Sequence, residues 1–168
     1  MKSKTPRVAA IFRALRDRQV EFVVVGGVAA VLAGAPFNTL DLDIVHNTDA
    51  ENVNRLLAAL ESIHARYRTH PHLSPATRLI SPGQRLLMTR FGPFDVLGSI
   101  GRSYGYRDLL PHTTELDLGH GLRVRVLDLE MQIVVKEEVA GEKDKAVLPL
   151  LRRTLEEKRR FRPATSNG

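Results

Sequence analysis

The chain is predicted to fold as one α/β domain of the α+β kind, with a mixed β-sheet and helices mainly on one face. Three observations predict it. Segments with apolar residues at helical spacing alternate with short β-branched runs, which is the pattern of helices layered on a sheet. Two pairs of strand-like runs are joined by tight glycine-containing turns, so part of the sheet is antiparallel. At 168 residues and 43% hydrophobic content, the chain can bury one sizeable core.

The elements follow in order. Thr5-Pro6 reads as a helix start, and Val8, Ile11, Phe12 and Leu15 repeat at helical spacing to about Arg18. Glu21 to Val25 reads as a strand that ends at Gly26-Gly27, after which Val28 to Ala33 forms a short helix. Thr39 to His46 reads as a strand with aspartates at alternate positions. Thr48 and Glu51 suggest a capping box, and Val53, Leu56, Leu57, Leu60 and Ile63 give a helix stripe that ends near Tyr67. Thr69 to Gly83 has three prolines and no periodicity, so it is expected to be a loop. Arg85 to Arg90 and Phe94 to Ile100 read as strands around a Gly92-Pro93 turn. Glu115 to Leu118 and Leu122 to Leu127 read as strands around Gly119-His120-Gly121. Asp128 is expected to cap a helix through Val139, and Lys143 to Arg160 is the last helix. Pro149 suits that helix only if it begins near Asp144 to Ala146, which puts the missing amide at or near the first turn. Residues 1–162 are read as a single domain and 163–168 as a disordered tail.

Composition narrows the chemistry. The chain has no cysteine, so disulfides and thiolate metal sites are excluded and a bound metal would rest on oxygen or imidazole ligands. That favours hard cations such as magnesium or manganese. No apolar segment reaches signal-peptide or membrane-spanning length, so a cytoplasmic protein without membrane contact is expected. The net charge of +6 suits a polyanionic partner such as RNA. Much of that excess, however, lies in Arg152, Arg153, Lys158, Arg159, Arg160 and Arg162, where it also fits a solvated helix face.

The informative segment runs from Gly26-Gly27 through a short helix and loop to Thr39-Leu40-Asp41-Leu42-Asp43. Thirteen residues separate Gly27 from Asp41. The glycines permit a tight strand-to-helix turn and let backbone amides approach a phosphate at the positive end of the helix. Asp41 and Asp43 are one residue apart in a strand pattern, so both carboxylates face the same way while Leu42 and Ile44 face the other. Two such carboxylates repel each other unless a cation sits between them. Phosphoryl and nucleotidyl transfer use such a cation to neutralise charge on phosphate oxygens. Asp95 stands between Phe94 and Val96, where burying a lone acid would be expensive. Glu115 and Asp117 repeat the alternate-carboxylate spacing without an upstream glycine turn, and read as a solvated strand face. His70-Pro71-His72 lacks a third ligand at metal spacing.

The glycine turn, the Asp-x-Asp strand and the later Phe94-Asp95-Val96 resemble, in order and spacing, the motif of the nucleotidyltransferase superfamily. The detailed pattern is similar to the small single-domain members that include the AbiEii-type toxins of toxin–antitoxin systems. The residues that carry this finer likeness are Arg123 to Glu130, then Lys136, Gly141, Lys143 and Asp144. The resemblance implies a nucleotidyltransferase-like sheet and a nucleoside triphosphate substrate. It implies magnesium or manganese on Asp41, Asp43 and Asp95, with these three acids catalytic. Gly26, Gly27, Thr39, Lys136, Lys143 and Asp144 would lie at the nucleotide. It also implies a hydroxyl acceptor, which RNA, a protein or a small molecule could supply, and raises the expectation of an antitoxin partner. The chain departs from the family pattern at Asn38, Glu142 and Val147, each of which stands where a phosphate or ribose contact is usual. A catalytically degenerate nucleotide-binding or partner-binding module is therefore the alternative reading.

Overall fold

A computed structural model describes residues 7–36, 38–39, 41–75, 85–139 and 141–161. The expected Thr5-Pro6 helix start, the second half of the proline-rich loop and the tail at 163–168 lie outside these residues.

The chain runs α1 (Val8–Asp17), β1 (Phe22–Val25), α2 (Gly26–Leu32), β2 (Leu42–His46), α3 (Ala50–Ser62), β3 (Arg66–Tyr67), β4 (Arg85–Thr89) and β5 (Gly92–Leu97). It continues with a small hairpin of β6 (Ser99–Ile100) and β7 (Tyr104–Gly105), then α4 (Tyr106–Leu109), a 3-10 turn at Leu110–His112, β8 (Thr113–Asp117), β9 (Arg123–Leu127), α5 (Leu129–Val139) and α6 (Glu142–Arg160). Among the described residues, seven strands form one sheet in the order β3-β4-β5-β2-β1-β9-β8. The central pairs mix directions: β1 is antiparallel to β2, β2 is parallel to β5, and β1 is parallel to β9. This is the mixed sheet of an α+β fold. Among the described residues, no helix is long and apolar enough to cross a membrane.

Alternation along the strands divides the side chains between two faces. Val24, Leu42, Ile44, Leu87, Phe94, Val96 and Val126 enter the main core with Ile11, Phe12 and Leu15 of α1 and Leu56, Ala59 and Leu60 of α3. On the opposite face Val23, Val25, Val45, Leu97 and Leu127 pack under Leu109 of α4 and Met131 of α5. A third apolar cluster joins Ala30 and Ala33 at the C-terminal side of α2 to Leu129, Ile133, Leu148 and Leu151 of α5 and α6. Asp43 and Asp95 lie on this second face, opposite the main core.

Several sequence expectations are corrected. The capping box at Thr48 does not form; Asp49 occupies the N-cap of α3 without a side-chain cap bond. That helix ends at Ser62 rather than near Tyr67, because His64 takes a left-handed φ of 55° and turns the chain into β3. The β4–β5 turn falls at Arg90 and Phe91, with Gly92 at φ 120° and Pro93 already within β5. Pro149 lies inside α6, well past its first turn. It is exposed, and its neighbours Leu148 and Leu151 anchor the helix in the third cluster, so packing offsets the lost backbone bond.

Candidate functional site

Asp43 and Asp95 are brought together by the strands that bury their neighbours. Leu42 and Ile44 of β2, and Phe94 and Val96 of β5, are all fully buried in the main core. Each aspartate between them must then project from the opposite face. The parallel register places Asp43 directly beside Asp95. Asp41 precedes β2, and its charge acts on both. Asp43 and Asp95 therefore lie side by side on one face of the sheet, Asp95 buried and Asp43 half-buried, while Asp41 lies just before the strand rather than in it.

On its other side, Asp43 is paired with Val25, the last residue of β1. There the chain turns abruptly into α2 through Gly26, whose φ is 67°. A Cβ on Gly26 would stand 2.5 Å from Asp43 Oδ2. The glycine is thus required twice, by its left-handed backbone and by the carboxylate packed against it. Gly27 is not in the left-handed region, so the two glycines of the motif have different duties.

The electrostatics follow from this crowding. Burial is the largest cause that raises the Asp43 pKa, followed by repulsion from Asp95 and a hydrogen bond with it; Asp41 adds to the rise and Lys136 opposes it. The result is a carboxyl pushed from 3.8 up to about 7. Asp95 is also raised, chiefly by burial, with Arg68 pulling the other way. Two facing acids that hold a proton between them are what a bound cation would relieve.

Arg68 was not legible as a site residue. It follows β3, donates from Nη2 to Asp95 Oδ1 at 2.7 Å and to the Leu87 carbonyl at 3.1 Å, and so ties the sheet edge to the acidic centre. Its own backbone N–H binds the Leu86 carbonyl. The sequence signals arginine but not the two-residue strand that delivers it.

The remaining candidates surround this centre unequally. Thr39 donates to the Asp41 carbonyl at 3.2 Å, which shapes the approach to β2, and Asn38 is exposed beside it. Lys136 of α5 is near enough to Asp43 to favour its charged form, but its Nζ is 2.9 Å from Asp144 Oδ1 in the first turn of α6. Lys143 is exposed in that same turn. Glu115 and Asp117 lie exposed on β8 opposite Arg123, as a solvated strand face should. Among the described residues, no three carboxylate or imidazole side chains gather closely enough to cage a metal. The Asp43–Asp95 pair nonetheless fits a hard divalent cation, since it offers anionic oxygen donors whose mutual repulsion a cation would cancel.

Comparison with known proteins gives a fold-level answer. No family model matches the sequence, and no curated protein matches it. Among solved structures, the lincosamide antibiotic adenylyltransferase LnuA, with lincomycin bound, superposes with a TM-score of 0.60 at 15% identity, covering 88% of this chain and 95% of that one. A Thermotoga maritima protein proposed to be a nucleotidyltransferase superposes with a TM-score of 0.54 at 20% identity, covering 89% and 91%. The mixed sheet that sets Asp43 beside Asp95 is accordingly the fold found in nucleotidyltransferases.

Proposed function

We propose that this chain transfers a nucleotidyl group from a nucleoside triphosphate to a hydroxyl acceptor. The observation that carries the reading is the Asp43–Asp95 pair, set across parallel strands and pressed against the Gly26 turn. Asp43 and Asp95, with Asp41 close by, would hold magnesium or manganese. When bound, that cation would neutralise charge on the triphosphate oxygens.

The chain's own residues do the rest. Gly26 leaves room for Asp43 where β1 passes into α2, so the carboxylate and the first amides of the helix lie side by side. Lys136 supplies positive charge from α5. Asp95, on the β5 side, would take the proton of the acceptor hydroxyl as its oxygen bonds to the α-phosphorus. The bond from that phosphorus to the bridging oxygen breaks, and pyrophosphate leaves with the electron pair. Arg68 holds the Asp95 carboxylate in place.

The experiment is label transfer from each α-labelled triphosphate to mixed acceptors with magnesium. Transfer by the wild type that vanishes in Asp43→Asn supports the reading; transfer that survives that change sinks it. The toxin–antitoxin role rests on the Lys136–Gly141–Lys143–Asp144 pattern, and co-purification with a neighbouring gene product tests it. The degenerate-module alternative is favoured by one specific contact, because Lys136 is engaged with Asp144 rather than left open. It predicts triphosphate binding without transfer.

A further inference from the structure

The face that carries Asp43 and Asp95 continues from β5 onto β4, and there it changes character. Leu86 pairs with Asp95, and Met88 pairs with Pro93. Antiparallel partners project to the same side, so Leu86, Met88 and Pro93 stand beside the acids. Leu87, between them, is fully buried on the other face, whereas Leu86 and Met88 remain 39% and 43% exposed. Leu86 and Met88 thus leave an apolar strip open beside the acids, the kind of lining that small-molecule sites combine with a few polar groups.

Topology says which substrate would meet this shelf. The Gly26 turn lies on the β1 side of Asp43, away from β4, and Lys136 acts on Asp43 from α5, so on the nucleotidyl-transfer reading the triphosphate belongs with that lysine. In-line displacement puts the attacking oxygen opposite the leaving pyrophosphate. The acceptor must then arrive from the β5–β4 side, across Leu86 and Met88.

Charge argues about its class. A nucleic-acid strand needs open cations along its track. Among the described residues, the two guanidinium groups at the β3 edge beside Leu86 and Met88 are already engaged, Arg68 with Asp95 and the Leu87 carbonyl, and Arg66 with the Ala65 carbonyl. On the distant α6, Arg152, Arg153 and Arg159 face Glu137, Glu157 and Glu130. We propose that the acceptor is a small hydroxyl-bearing molecule with an apolar body, which rests on Leu86, Met88 and Pro93 and presents its hydroxyl to Asp95. The inference depends on the nucleotidyl-transfer reading above. The acceptor oxygen bonds to the α-phosphorus, its proton passes to the carboxylate, and pyrophosphate departs.

The test uses the full chain, the Leu86→Ser/Met88→Ser double variant and a milder Met88→Gln variant, each with magnesium and α-labelled triphosphates. Lincomycin and octyl glucoside below its micelle concentration serve as apolar-bodied probes, with kanamycin and transfer RNA as polar and polyanionic ones. Calorimetry measures triphosphate affinity in parallel. Label should reach an apolar-bodied probe, and should fall tenfold or more in the double variant and several-fold in Met88→Gln, with triphosphate affinity within twofold of wild type. Label on kanamycin or transfer RNA instead, equal labelling by the variants, or no label on either apolar-bodied probe despite bound triphosphate overturns the inference. A wild type that binds no triphosphate is a different result, and overturns the nucleotidyl-transfer reading itself.

Discussion

Asp43 and Asp95 occupy paired positions on the parallel strands β2 and β5, and among the described residues only Asp95 has a cation bonded to it: Arg68 reaches it at 2.7 Å. Their inequality follows. Asp43, with Val25 and the Gly26 turn on its other side, carries the pKa pushed up to about 7. Asp95 keeps its charge more readily because a guanidinium compensates it.

Stability without metal should therefore fall as pH rises from about 4 to about 7. A group whose folded pKa exceeds its unfolded value of 3.8 binds its proton more tightly in the native state. The native state is then favoured at low pH and loses that advantage up to the folded pKa, above which the curve is flat for this group. Magnesium should bind the deprotonated pair, so its apparent affinity should rise up to tenfold per pH unit below about 7 and level off above it. Magnesium titrations by calorimetry between pH 5.5 and 8.5 check this. An affinity independent of pH would mean that Asp43 holds no proton for the metal to displace.

Gly26→Ala should be far more damaging than Gly27→Ala. The new methyl would meet Asp43 Oδ2 at 2.5 Å from a backbone already at φ 67°, and a left-handed alanine alone costs about 1–2 kcal/mol. Part of the total should be recovered when the carboxylate is shortened to Ser in Gly26→Ala/Asp43→Ser. Urea melts of the four proteins form a double-mutant cycle, and a coupling energy near zero would detach Gly26 from Asp43.

Arg68→Gln removes the cation at Asp95 and should destabilise the metal-free protein by about 1–3 kcal/mol at pH 8, with a smaller loss at pH 4.5, where Asp95 is more often protonated. The variant should gain more from magnesium than the wild type, because a bound cation now relieves a larger repulsion. Thermal melts with and without magnesium read both effects, and an equal metal response in the two proteins would show that Arg68 and the metal do not compete for Asp95.

How much of this was legible depended on the reach of each signal. The glycine turn, the alternate aspartates and the apolar neighbours of Asp95 are local patterns, and the strands they predict set the site. Register is not local. That Asp95 lies beside Asp43 rather than one position away follows from pairing between strands some fifty residues apart, which no single window contains. Arg68 was missed for the same reason, since its meaning depends on a two-residue strand against β4. The end of α3 was misplaced because apolar periodicity runs on through Ile63, while the left-handed turn at His64 gives no strong composition signal. Pro149 shows tertiary packing overriding a local helix breaker.

The contact between Lys136 and Asp144 yields the last prediction, because it decides what the lysine is for. At 2.9 Å, with both side chains about a quarter exposed, the pair holds α5 against the start of α6. If Lys136 is a triphosphate ligand, Asp144 competes with the phosphate for it, and Asp144→Asn should free the lysine. Triphosphate affinity should then rise several-fold, by up to about 1 kcal/mol, the worth of a partly exposed ion pair. Stability should drop by a similar amount, and Lys136→Met should lose the affinity in either background. If the pair only clamps the helices, Asp144→Asn lowers the melting temperature and leaves triphosphate affinity untouched. Calorimetry on Asp144→Asn, Lys136→Met and the double variant separates the two, and a stability loss without any gain in affinity would take Lys136 out of the nucleotide site.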